Sequence, residues 1–382
     1  MGRPIHWRSR LSESRGGVRA CVGGHRPRGG GVVAGGTDGG CRAVRRSPHR
    51  HSSADVAFAD RQREGVGMSR IPMPSLVART IDGRGVQVAR SPGAAIVARL
   101  ADYLQLSKPR IVVLELIVAA AAACIATPHA LQPIVLVEAL AATALVAGSA
   151  SMANQWWERD LDRRMARTAN RPLPAGRIMP MEAATLSAAT LAIGMAWLVT
   201  RVNLLTAALG LASWLLYVVV YTPMKTRTPL NTVVGAVAGA LPLLMGWTAT
   251  GRPLGLTAMS LACVLFLWQF PHFMAIAWLY RKNYAAAGQQ MVTVVDPTGA
   301  RAAAWAVVGA ALILPVSLIP ALTPTSGSPG VYALWALALG GGQFALAVRF
   351  ALSRDDASAR QLLKSTLLYL PVWMGVLLMV SL

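Results

Sequence analysis

The chain has 382 residues, 54% hydrophobic and 14% charged, with 37 Lys and Arg against 16 Asp and Glu and a formal net charge of +21. A soluble domain carries roughly 25% charged residues, so this composition excludes an ordinary water-soluble globule, and the apolar content excludes disorder of the whole chain. Two classes remain, a membrane protein with basic loops and a basic nucleic-acid binder, and the placement of the charges separates them.

The first 100 residues hold 18 basic and 6 acidic residues, and the remainder 19 and 10, so over half of the net charge sits in about a quarter of the chain. Residues 1–68 also hold 14 of the 35 glycines, in stretches such as GGHRPRGGG and CRAVRRSPHRHSS. Such a composition buries no core, and residues 1–98 are expected to form a disordered leader without a function of its own. No apolar stretch follows the arginines as a secretory signal requires, and Glu13, Asp38, Asp55, Asp60 and Glu64 argue against a transit peptide. RNA binding through the RGG-like stretches is a weaker alternative to an upstream mis-start, with Met68 or Met73 as the true beginning. Cys21, Cys41, Cys124 and Cys263 form no CxxC pair, so neither a zinc site nor a disulfide framework is expected.

Apolar segments then recur at lengths of about 17–25 residues, enough to span a bilayer. Nine spans are predicted, at 111–127, 131–153, 182–200, 203–222, 232–250, 254–279, 302–322, 330–351 and 363–382, which makes residues 99–382 an all-α polytopic membrane domain. Pro128-His129, Pro223, Gly251-Arg252-Pro253 and the run PTSGSPG from Pro324 break the pattern between spans. Gly235, Gly239 and Gly340 to Gly342 are small enough to let membrane helices approach closely. Alternate loops are basic: 17 Lys and Arg fall on one side and only Arg201 and Arg252 on the other. The positive-inside rule puts the basic side and the N-terminus in the cytoplasm and, after an odd number of spans, the C-terminus outside. A nucleic-acid binder has no reason to alternate in this way, so no nucleic-acid partner is expected.

Polar residues at span ends mark function by default. After the second span comes Asn154-Gln155-Trp156-Trp157-Glu158-Arg159-Asp160-Leu161-Asp162. Asn154, Glu158 and Asp162 recur every four residues, which drifts only about 40° per step on a helix and places all three on one face. Oxygen ligands of this kind suit Mg²⁺, which takes carboxylates, waters and substrate phosphates; the competing reading is a solvated helix end with Glu–Arg pairs. Arg163, Arg164, Arg167 and Arg171 follow, and guanidinium groups bind phosphate in bidentate fashion. Carboxylates beside arginines describe a diphosphate site. Two further clusters lie on the same side, Tyr221 to Asn231 with Lys225 and Arg227, and Trp268 to Phe273 followed by Tyr280-Arg281-Lys282-Asn283-Tyr284. His272 interrupts an apolar run, and a structural and a functional role stand open for it.

These residues resemble the UbiA family of intramembrane prenyltransferases, over a stretch from about Tyr103 to the C-terminus. The motif N-x-x-x-D-x-x-x-D of that family matches Asn154, Glu158 and Asp162, with Glu at the middle position, and RTANRPLPAGRI (Arg167 to Ile178) is characteristic of it. LSKPRIV (Leu106 to Val112), YTPMKTRTPLNTVVGAVAGALP (Tyr221 to Pro242) and WQFPHFMAIAWLYRKNYAAAG (Trp268 to Gly288) resemble the branch that acts on heme rather than on quinone precursors. One departure is that the family carries a carboxylate in its second motif where this chain has Asn283, before Tyr284; Asp296 is a substitute further along the same loop.

The resemblance implies transfer of the farnesyl group of farnesyl diphosphate to a vinyl group of protoheme IX (heme B), with addition of a water-derived hydroxyl to give heme O. It implies Mg²⁺ as cofactor, held by Asn154, Glu158 and Asp162, with Arg167, Arg171, Lys225 and Arg227 on the diphosphate and Tyr280, Asn283 and Tyr284 in the second-motif region. Trp156, Trp157, Tyr221 and Tyr284 are aromatic candidates to face the allylic cation, with interfacial anchoring as the competing role. His272 is the candidate to contact the heme iron or a propionate, or to handle a proton. The implied setting is a bacterial inner membrane with heme A synthase as a downstream partner. The alternatives are prenyl transfer to an aromatic quinone precursor and, from another class, a heme or ion transporter.

Overall fold

The structure, a computed structural model, describes residues 92–381 apart from His129 and residues 324–327. The leader expected over residues 1–98 lies outside the described residues as far as residue 91. Its expected boundary falls inside the first helix, α1, which runs Pro92–Leu106.

The described regular structure is entirely helical. Among the described residues nine helices are long and apolar enough to cross a membrane: α2 Pro109–Ala126, α3 Pro133–Asp162, α4 Pro180–Val202, α5 Leu204–Met224, α6 Asn231–Ala249, α7 Leu256–Leu279, α10 Ala300–Leu322, α11 Pro329–Ser353 and α12 Asp356–Ser381. Between α7 and α10 lie two short helices, α8 Arg281–Ala286 and α9 Val292–Val295. Proline occupies the start of α2, α3, α4 and α11, where its missing N–H breaks no helical bond and its fixed φ favours the first turn. α4 and α5 end in π-helical turns, Leu198–Val202 and Leu216–Tyr221, and Asn203 caps α5 by accepting from the Thr206 N–H at 2.8 Å.

Two predicted limits change. α3 continues to Asp162 rather than ending at residue 153, so the polar row is an extension of the span itself. α12 begins at Asp356 rather than at residue 363, because Asp355 caps it by accepting from the Ser358 N–H at 2.7 Å. In both cases charged residues depress the hydropathy of a segment that is still helical.

Lipid tails provide no hydrophobic drive between helices, so packing and interhelical hydrogen bonds hold the bundle. The main core joins α2, α6, α7, α10, α11 and α12 through Leu243, Trp247, Leu261, Ile313, Tyr332 and Trp373. α2 and α6 touch backbone to backbone at Gly246, where an added methyl would collide with Ala119. Buried polar groups pair across helices, as a membrane interior demands: Ser149 with Ser187, Thr206 with Thr248 at 2.8 Å, and Trp373 Nε1 donating to Tyr332 Oη at 3.0 Å. Outward-facing apolar residues such as Ile193, Leu204, Leu334 and Leu368 are exposed, as expected of a lipid-facing surface. α1 is fastened to the first turn of α4 by Arg99 and Tyr103 on Glu182, and to the α3–α4 connection by Asp102 on Arg177.

Candidate active site

The last turns of α3 carry the site. Asn154, Glu158 and Asp162 are 0%, 5% and 1% exposed, which rejects the solvated helix end. Two charged carboxylates in such burial need partners, and each residue of the row meets a cation from a different segment. Lys108, just before α2, donates to Asn154 Oδ1 at 2.6 Å. Lys225, just after α5, lies 2.9 Å from Glu158 Oε1 and 3.2 Å from Oε2, with hydrogen-bond geometry to Oε2. Arg171, in the α3–α4 connection, donates to Asp162 Oδ2 at 2.7 Å.

The surroundings hold these groups in place. Asn154 Nδ2 donates to Thr222 Oγ1 at 3.0 Å, and Thr222 Oγ1 donates to Tyr217 O at 2.8 Å, within the π-helical end of α5. The Gln155 amide donates to Leu106 O at 2.6 Å and Thr168 Oγ1 to Asp162 O at 2.9 Å. The Gln290 N–H donates to Lys225 O at 2.6 Å, which joins the α7–α10 connection to the α5–α6 turn. Lys108 sits at φ 51° immediately before Pro109, a left-handed backbone that costs a non-glycine residue about 1–2 kcal/mol. Such strain is held by its surroundings, and here it aims the ammonium at Asn154.

The two lysines differ electrostatically. Burial, reinforced by Lys225, lowers Lys108 to about 7. Burial is the largest single influence on Lys225 and acts against its charge, but Glu158, Tyr221 and Tyr217 together outweigh it and raise that ammonium above the ordinary lysine range. Lys225 also caps the Tyr221 ring at 4.5 Å, and Tyr221 stacks on Tyr217 at 5.4 Å. Gly235 makes room for that ring, since an added methyl would stand 2.8 Å from Tyr221 Cε2.

The second-motif residues follow α7 on α8 and its cap. Arg167 lies over the Tyr280 ring at 5.4 Å. Tyr284 is pushed up by burial and feels Arg167, Tyr221 and Lys225. Asn283 is half-buried on α8.

Other predicted residues stand apart. Arg227 is exposed, two residues beyond Lys225 in a tight turn that carries it away from the row. Trp156 packs beside Tyr103 and Leu186 with Arg159 over its ring, and Trp157 is 46% exposed; neither shares the face of Glu158, because they sit two positions and one position before it on the helix. Asp296 is not a substitute ligand, since its carboxylate accepts from the N–H groups of Thr298 and Arg301 and from the Thr298 hydroxyl at the start of α10. Arg163 and Arg177 pair with Asp160 and Asp102. His272, inside α7, places Nδ1 2.9 Å from Thr366 Oγ1 of α12. Lys108, Thr222 and Gln155 are the site residues that sequence reasoning passed over; for Lys108 the signal was a basic residue directly before a span-opening proline.

A metal fits the donor set. Among the described residues no three His, Cys, Asp or Glu side chains converge as a closed metal cage. Two buried oxygens here carry no oriented hydrogen bond: Glu158 Oε1, which is ion-paired to Lys225 at 2.9 Å, and Oε1 of Gln155, the neighbour of Asn154. A few hard oxygens with places left for water and phosphate suit Mg²⁺.

Residues 116–371 match the UbiA prenyltransferase family. The chain belongs to that family. A relative from Rhodopirellula baltica named protoheme IX farnesyltransferase is 42% identical over 285 residues, 73% of this chain and 98% of its own length. One of the same name from Solibacter usitatus is 39% identical over 287 residues, again 73% and 98%. Solved UbiA-type structures share the fold. A digeranylgeranylglyceryl phosphate synthase superposes with a TM-score of 0.65 at 15% identity, over 74% of this chain and 99% of its own. An Archaeoglobus fulgidus UbiA homologue bound to DMAPP and Mg²⁺ does so with 0.56 at 18%, over 73% and 99%.

Proposed function

We propose that the chain transfers the farnesyl group of farnesyl diphosphate to a vinyl group of protoheme IX, giving heme O and diphosphate. The observation that carries prenyl transfer is the buried row Asn154, Glu158 and Asp162, met one-to-one by Lys108, Lys225 and Arg171. The choice of heme as acceptor rests on the protoheme IX farnesyltransferases that match this chain over nearly their whole length.

Charge accounts for donor binding. Lys225 and Arg171 balance the two carboxylates, so the charge of an anionic diphosphate ester falls to Lys108, whose charged form its approach favours. Mg²⁺, when bound, would supply Lewis-acid stabilisation to the leaving diphosphate oxygens. Asn154, Glu158 and Asp162 are the residues that would hold it. The related Archaeoglobus protein with DMAPP and Mg²⁺ supports this cofactor.

The chain's own groups serve the rest of the reaction. Lys108, Lys225, Arg167 and Arg171 stabilise the charge that builds on diphosphate as the allylic C–O bond breaks. Tyr221 and Tyr284, rather than the two tryptophans, are the aromatic rings near the developing cation. The vinyl terminus of heme forms the new C–C bond, and water supplies the hydroxyl on the adjacent carbon, so heme B, farnesyl diphosphate and water become heme O and diphosphate. The apolar spans receive the farnesyl tail and keep water from the cation until that bond has formed.

The basic loops support a bacterial inner-membrane setting with the site and residue 92 on the cytoplasmic side and Ser381 outside. An impermeant maleimide on inside-out vesicles should label Arg164→Cys and spare Arg252→Cys. Heme A synthase fits as a partner, because its chemistry consumes heme O. The deciding assay incubates membranes with heme, farnesyl diphosphate and Mg²⁺ and looks for heme O by mass spectrometry. Prenylated product from a hydroxybenzoate, with none from heme, would make the quinone-precursor reading correct.

A further inference from the structure

His272 is held more tightly than a space-filling imidazole requires. Its ring stacks on Trp268 at 4.9 Å and 18°, and the Phe273 ring meets it edge-on at 5.5 Å. Trp268 Nε1 donates to Thr366 O at 2.8 Å, and His272 Nδ1 lies 2.9 Å from Thr366 Oγ1, so one residue of α12 fixes both rings of α7. The Thr366 hydroxyl has a single proton, and it donates that proton to Leu363 O at 2.7 Å. Towards His272 the hydroxyl therefore acts as acceptor, and Nδ1 carries the hydrogen. In a neutral imidazole this leaves a lone pair on Nε2, which has no hydrogen-bond partner among the described residues.

An imidazole with Nδ1–H tied to an acceptor and Nε2 free is the arrangement by which proteins orient a metal-binding histidine. The only metal in the proposed reaction outside the diphosphate site is the substrate's own iron. His272 also lies eight residues before Tyr280, about 12 Å deeper along α7, while Tyr280 is at the diphosphate end beneath Arg167. The vinyl groups of a porphyrin reach outward from the iron by about half its width, so iron held at His272 puts a vinyl between His272 and the diphosphate end.

We infer that His272 Nε2 ligates the iron of bound protoheme IX and that Thr366 is the positioning residue that sets its tautomer and ring orientation. This rests on the reading of heme as acceptor. The group that hydrogen-bonds the other ring nitrogen of a metal-bound histidine is typically worth about 10–100-fold in affinity, which sets the expected effect of Thr366.

The test uses the full chain in detergent with hemin as probe, followed by optical and electron paramagnetic resonance spectra. Wild type should show axial nitrogen ligation. His272→Gly should lose it and added imidazole should restore it. Thr366→Val should weaken hemin binding 10–100-fold and shift the spectrum, whereas Thr366→Ser should behave as wild type. Farnesyl diphosphate-induced thermal stabilisation should be equal in all four, which reports an intact fold. A wild-type spectrum in His272→Gly overturns the inference. If that variant does not fold, a wild-type signal without nitrogen ligation, unchanged by Thr366→Val, overturns it equally. Should wild type make heme O while His272→Gly keeps the wild-type spectrum, only this inference falls; should wild type make no heme O and bind no hemin, the proposed function falls with it.

Discussion

Lys108 and Asn154 are joined by a 2.6 Å hydrogen bond between the entrance of α2 and the polar end of α3. That bond places a buried, low-pKa ammonium against the first member of the oxygen row, and a left-handed backbone holds it there. Lys108→Met keeps the length of the side chain and removes the charge. A hydrogen bond to a charged group is worth about 1.5–3 kcal/mol, so kcat/KM for farnesyl diphosphate should fall about 10- to 100-fold. Steady-state kinetics with heme in excess measures it, and an unchanged value would remove Lys108 from the site.

Asp162 is buried while its partner Arg171 keeps about a quarter of its side chain exposed. Asp162→Ala should abolish transfer while the protein remains folded in detergent. Arg171→Ala leaves Asp162 charged and unpaired, so it should also lower thermal stability. Product analysis together with a melting curve separates the two effects, and normal turnover in Asp162→Ala would refute the site.

Asn283 stands half-buried on α8, at the point where the chain departs from the second motif it resembles. Asn283→Asp should preserve or improve Mg²⁺ affinity, read from the Mg²⁺ concentration at half-maximal activity. A clear loss of activity would instead assign the amide a specific role.

Gly246 presses against the Ala119 backbone, and neither side can yield as a flexible side chain would. Overpacking a close contact costs about 1–3 kcal/mol. Gly246→Ala should therefore lower the melting temperature, whereas Gly342→Ala, with open space around the added methyl, should leave it unchanged. Equal melting temperatures would contradict the tight α2–α6 contact.

The spans were legible because a bilayer imposes one length and one polarity on every crossing helix, and proline marks several of their starts. Legibility failed where charge and helicity part company: Glu158, Asp162 and Asp356 lie in helices whose hydropathy has already fallen. Arg167, Arg171 and Lys225 could be named from their loops, but Arg227 could not be told from them, since two residues of turn decide which side chain faces inward. Lys108 looked like an ordinary basic flank of a span. Asp296 looked like a spare carboxylate until the start of α10 claimed it.

By itself the sequence determined the membrane class, the nine spans, the sidedness expected from 17 basic loop residues against two, and the spacing of the oxygen row. These are properties of hydropathy and period, which act locally along the chain. Only the tertiary structure decided which cation meets which oxygen, that Tyr221 and Tyr284 rather than Trp156 and Trp157 share the site, and that Thr366 leaves Nε2 of His272 free. Those choices depend on segments up to 94 positions apart being brought within hydrogen-bond distance, and only the packed helices set such distances.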